Sequence, residues 1–133
     1  MELKSFDVLF KAFEVQLQEK AINQTNPAGF SHAESLVSDG KVVKPSQWNH
    51  PTVEEENAYL KANGWAEFSK WYLGIDTSMD KETKGHYGYV YTSDFKTVDR
   101  EGLIAIRKRA AQHGQDKIFA EAGKLIDKID AKK

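Results

Sequence analysis

The chain has 133 residues, a formal net charge of −1 and no cysteine. Its length fits one domain spanning residues 1–133, and 40% hydrophobic content is that of a folded chain rather than a disordered one. A near-neutral balance supplies no broad attraction to nucleic acid or anionic membrane. The lack of cysteine excludes disulfides, thiolate nucleophiles and Cys-ligated zinc.

The stretch from Met1 to Val15 interrupts its apolar residues with charges, and it has neither a signal-peptide core nor a cleavage site. No window approaches the roughly 18 apolar residues of a membrane span. The expectation is a soluble, cytoplasmic protein, in keeping with the absence of cysteine.

In chain order, Ser5 can cap a first helix running to about Lys20, with Phe6, Leu9, Phe10, Phe13 and Leu17 on its apolar stripe. Gln24 to Phe30 is a connector broken by Asn-Pro and Ala-Gly. Two readings compete for the next segment. Ser31 can cap a short helix over His32–Ser38 that Gly40 closes in the left-handed region. Alternatively Leu36-Val37 and Val42-Val43 flank an Asp-Gly hairpin turn. The helix is favoured, because the strands would be very short.

Pro45 to Pro51 is a loop around Trp48, whose ring should fold back as a plug on the core. Thr52 and Glu55 form a capping box for a helix over Val53–Ala62, ended by Asn63-Gly64. A second helix follows at once, with Trp65, Phe68, Trp71 and Tyr72 on one side. After Tyr91 comes a turn. Asp99 then caps a helix over Arg100–Gln112, Gly114 ends it, and Asp116 starts the last helix. Leu103, Ile106 and Ala110 face Ile118, Ala122, Leu125 and Ile129 in an antiparallel helical hairpin.

The unusual residues concentrate between Trp71 and Phe95. Asp76 to Glu82 alternates oxygen ligands like the start of a calcium loop. It lacks the Gly and Glu that would close one, for Lys81 and Tyr87 hold those places. Lys84 to Tyr91 resembles an RNA-recognition strand only if His86 is removed, and a one-residue slip turns stacking rings to the wrong face. His86 has aspartates nearby in sequence, which suggests acid–base chemistry, but no nucleophile motif accompanies it. His32, His50, His86 and His113 lack metal-ligand spacing, and no phosphate or dinucleotide loop is present, so no cofactor or metal is expected. Arg107, Lys108 and Arg109 crowd one helical turn. They form either a solvated face or a phosphate contact.

The motifs W-x-L-G-I-D at Trp71–Asp76, T-K-x-x-Y-x-Y at Thr83–Tyr89, D-F at Asp94-Phe95, R-x-G-L-I-A-I at Arg100–Ile106 and R-A-A-Q at Arg109–Gln112 cover the last half of the chain. The set resembles a family of small bacterial and phage-borne proteins of unassigned function, similar to segments found near phage head-assembly genes. Val90 stands where related forms carry Pro. The resemblance implies no activity, so no catalytic residue follows from it.

These readings predict a mainly α fold: a compact bundle of five or six helices, one short extended Tyr-rich segment over Gly85–Tyr91, and the C-terminal hairpin. The expected function is a non-enzymatic interaction module that binds a protein partner or itself. Trp48, His86, Tyr87, Tyr89 and Tyr91 are its candidate contacts. The alternative is a nucleic-acid-binding accessory using Arg107, Lys108, Arg109 and the tyrosines. A third reading is a small hydrolase using His86 with an aspartate.

Overall fold

The computed structural model describes residue 15 and residues 17–132. Phe6, Leu9, Phe10 and Phe13, the stripe expected of the first helix, lie outside the described residues. Residues 17–20 are helical, and Leu17 is 53% exposed rather than turned to the core. There follow β1 (Gln24–Thr25), α1 (Pro27–Ser38), β2 (Val42–Val43), α2 (Val53–Ser69), β3 (Tyr72–Ile75), a 3₁₀ turn (Lys84–His86), β4 (Tyr87–Val90), β5 (Val98–Asp99), α3 (Arg100–Gln112) and α4 (Asp116–Ala131).

The helix boundaries follow local chemistry. Pro27 opens α1 in the first turn, where a missing N–H costs nothing. The Asn-Pro pair therefore starts this helix instead of breaking the chain ahead of a cap at Ser31. Asn26 does not use its side chain as a cap. Its Nδ2 donates to Ser69 O (2.8 Å) and Tyr72 O (2.9 Å), tying the end of α2 to the start of β3. Gly40, at φ +76°, ends α1, with Lys41 N donating to Leu36 O across the turn. The hairpin alternative fails, because Val42-Val43 pairs in parallel with β5 and not with Leu36-Val37.

Thr52 and Glu55 exchange both capping-box hydrogen bonds at the head of α2. Gly64 sits at φ 84°, ψ 174° and breaks α2 into two pieces. The second piece stops at Ser69, so Tyr72 belongs to a strand and not to the expected helix. At the other end of the chain Asp99 accepts from Gly102 N (3.0 Å) and caps α3, and Gly114 (φ +68°) turns the chain into α4. The expected α3–α4 hairpin is present. Leu103, Ile106, Ala110, Ile118, Ala122, Leu125 and Ile129 are all buried.

The mainly α expectation is wrong: the fold is mixed α/β. β1, β3 and β4 form an antiparallel sheet in the order β1-β3-β4, and β2 and β5 form a parallel pair. β3 pairs with β4 as Tyr72↔Val90, Gly74↔Gly88 and Ile75↔Tyr87. Both strands lie almost wholly inside, so neither shows the apolar–polar alternation that marks a half-exposed strand. Gly74 is needed where strand and helix meet. A Cβ there would lie 2.6 Å from Ile22 and 3.2 Å from Ile118 of α4. Phe68 of α2 packs against Tyr72 and Tyr87 with ring centroids 4.9 and 5.9 Å away, and Tyr59 stacks on Phe95 at 4.6 Å. Among the described residues no helix is long and apolar enough to cross a membrane.

Candidate functional site

Trp48 is half-buried and packs against the core as a plug. Its ring lies against the first turn of α3 at Gly102, where a Cβ would come within 2.5 Å of it. His50 meets the same ring edge-on at 6.3 Å. Trp48 is thus committed to the packing of α3.

The tyrosines expected on a contact surface are core residues. Tyr87 is 5% exposed, Tyr89 1% and Tyr91 0%. Each hydroxyl is also spent internally. Tyr87 donates to Lys81 O (2.7 Å), Tyr91 to Lys70 O (2.6 Å) and Tyr89 to Gln115 Oε1. Burial pushes all three phenols above their ordinary pKa, so they stay neutral donors. Tyr89 adopts φ +65° inside a strand, a conformation costly for a bulky side chain. Its packing against Gly74 and its bond to Gln115 hold it there.

His86 is buried, and its Nδ1–H donates to Met79 O (2.8 Å). Asp76 lies close to it, yet Asp76 Oδ1 is taken by Ser78 N (3.0 Å) and Ser78 Oγ (2.7 Å). Those bonds hold the Asp76 carboxyl below the usual range. The acidic stretch is therefore a pair of Asx turns, the second formed by Asp80 Oδ1 and Glu82 N (2.7 Å). Among the described residues no group of three or more His, Asp or Glu side chains is placed to hold a metal ion.

The basic cluster divides. Arg109 makes a bidentate pair with Glu19, at 2.5 and 3.1 Å. Arg100 makes another with Asp130, at 2.9 and 2.8 Å. Lys108 is exposed. Arg107 points to α4, its guanidinium carbon 4.1 Å from the centre of the Phe119 ring. The structure does not bring these cations to the tyrosines as one surface.

Two concave features had no signal in the sequence. One is a cavity of about 40 Å³ beside β4, lined among others by Gln18, Glu19, His50, Glu56, Tyr72 and Lys84. Lys84 Nζ bridges to Glu56 at 3.3 Å, and Tyr72 hydrogen-bonds Glu56. These pairings join positions far apart in sequence, so no local motif could announce them. The other is an open groove of about 780 Å³ between β1 and the loop that follows β3. Gln24, Ile75, Thr77, Met79, Asp80, Lys81, Glu82 and His86 line it. Met79 is 43% exposed in it. Asn23 pins one end, donating to Thr77 Oγ1 (2.9 Å) and accepting from Thr77 N (3.1 Å).

Compared with known proteins, the chain matches no family model, no curated protein and no solved structure.

Proposed function

We propose that this chain is a small non-enzymatic protein-binding or assembly module whose contact surface includes the Met79 groove. The observation that carries this reading is the way polar chemistry is used up internally while the groove stays open. His86, the three tyrosines, Arg100 and Arg109 all have partners within the chain. The groove instead offers shape, an exposed thioether and unsheathed acidic residues. Methionine adapts to irregular apolar partners, which suits such a surface. Gln24 of β1 and its partner Ile75 of β3 both line the groove, so it lies against the end of this strand pair. A phage or mobile-element origin is part of the proposal and rests on the resemblance of the Trp71–Gln112 motifs alone.

No specific observation favours the nucleic-acid reading: of Arg107, Lys108 and Arg109, Arg109 is neutralised by Glu19, and the tyrosines that would stack on bases are buried.

The test compares the wild-type chain with Met79→Asp, which places a charge in the groove at an exposed position. Both are immobilised and exposed to extract from the source cell, and both are followed by light scattering. A stoichiometric partner, or self-association, that Met79→Asp loses without a change in melting temperature supports the module. Equal retention by both variants rejects the groove. Turnover of ester or phosphate substrates that His86→Gln abolishes rejects the non-enzymatic reading.

A further inference from the structure

Arg107 differs from the other arginines of the C-terminal hairpin. Arg100 and Arg109 each spend their forks on a carboxylate. Among the described residues the Arg107 guanidinium makes no hydrogen bond and no ion pair, and its Nε is buried without a partner. It is nevertheless held in place. One face lies over the Phe119 ring at 4.1 Å. The group also runs along the backbone of α4 at Gly123, where a Cβ would touch Nε at 3.5 Å and Cζ at 3.6 Å. A planar cation stacked on a ring has lost much of its rotamer freedom before any ligand arrives.

The surroundings indicate what such a fork would take. Ile104 and Phe119 beside it are only partly buried, and Ala111 is exposed. An Arg next to an aromatic ring on a face of small and apolar side chains has the composition of an interface anchor. A polyanion would need a run of free cations. Arg100 and Arg109 are neutralised, and the lysines of α4, Lys117, Lys124 and Lys128, alternate with Asp116, Glu121 and Asp127. A single carboxylate set beside an apolar group fits better, because two parallel N–H···O bonds match the guanidinium fork.

We propose that the outer face of the α3–α4 hairpin is a protein-docking surface on which Arg107 receives an Asp or Glu carboxylate of the partner, with Phe119 and Ile104 packing against an adjoining apolar side chain. The proposal rests on the protein-binding reading but uses a different face from the Met79 groove.

Nitrogen-15 NMR of the whole chain tests it directly. The probes are an acetylated Glu-Leu-Glu-Leu peptide, its Gln-Leu-Gln-Leu counterpart and inorganic phosphate. The acidic peptide should move the Arg107 Nε–Hε resonance and the amides of Lys108, Ala111 and Gly123 together, and the neutral peptide should not. Arg107→Lys keeps the charge but loses the fork. It should weaken the response by roughly tenfold while leaving the rest of the spectrum in place. Three results overturn the proposal. They are no shift at millimolar peptide, an unchanged response in Arg107→Lys, and an equal response to phosphate, which would make the site a phosphate contact. The groove reading survives any of them, because Met79→Asp tests it separately.

Discussion

Glu19 and Arg109 stand ninety positions apart and meet in a bidentate pair, at 2.5 and 3.1 Å, with Glu19 only 2% exposed. The pair fastens the helical segment before β1 to the last turn of α3. Gln115, in the hairpin turn, completes the joint by donating to Glu19 O (2.9 Å) and Ile22 O (2.8 Å). Burial raises the Glu19 carboxyl above its ordinary pKa, and Arg109 opposes that shift. A carboxyl whose folded pKa is raised adds stability below its unfolded pKa. That contribution is lost as pH rises through the folded value.

Glu19→Gln removes this titration. The stability of the wild type relative to Glu19→Gln should therefore fall as pH rises from about 4 to about 7. Urea melts across that range measure it. A difference that grows with pH would mean that Arg109 outweighs burial. Arg109→Met leaves the buried carboxylate without its cation, and should cost about 3–5 kcal/mol at neutral pH. The double replacement Glu19→Met with Arg109→Met should recover much of that loss.

Gly102 and Trp48 form a second joint, between a loop and a helix start. Gly102→Ala would drive a methyl group to 2.5 Å from the indole. The ring or α3 must move, at a cost of about 1–3 kcal/mol. Trp48 emission should shift to the red as the ring lifts into water. Combining Gly102→Ala with Trp48→Leu should restore part of the stability. If Gly102→Ala alone leaves both stability and emission unchanged, the indole does not rest on that backbone.

Much of this fold could be read from local patterns, and the reason is physical. Thr52–Glu55, Asp99, Gly40, Gly64 and Gly114 act over one turn of chain, so their chemistry shows in neighbouring residues. The α3–α4 seam repeats at helical spacing and is equally plain. The sheet was hidden because β3 and β4 are buried nearly throughout, which removes the alternation that identifies a strand. Trp65, Phe68, Trp71 and Tyr72 fall at helical intervals, yet Lys70 ends α2 between them. The tyrosines, expected on a contact surface, have hydroxyl partners that sequence does not show. Lys81 O, Lys70 O and Gln115 satisfy those groups from elsewhere in the chain, so the rings can go inside. The groove and the unpaired Arg107 depend on tertiary contacts and leave no trace in spacing.

Asp99 illustrates a boundary that both views share. It is 1% exposed, accepts from Gly102 N, and its carboxyl is raised above the ordinary range chiefly by burial. Asp99→Asn keeps an acceptor for the cap, whereas Asp99→Ala leaves the first-turn N–H groups without one. The alanine variant should lose about 1 kcal/mol or somewhat more, and the asparagine variant much less. Thermal melts of the three chains at neutral pH decide it. Equal loss in both variants would mean that charge, not capping, is what Asp99 contributes.

Tyr91 offers the sharpest separation of packing from hydrogen bonding. Its ring is fully buried at 5.7 Å from Trp71, and its hydroxyl donates to Lys70 O, the carbonyl of the residue that ends α2. Tyr91→Phe keeps the ring and removes only the donor. The orphaned carbonyl should cost about 1–3 kcal/mol. Because that bond joins the end of α2 to the chain just past β4, amide exchange around residues 68–72 should quicken more than exchange in α3 or α4. Uniform acceleration across the chain would show that the hydroxyl serves global stability alone. An unchanged exchange pattern with unchanged stability would show that water replaces Tyr91 at Lys70 O without penalty.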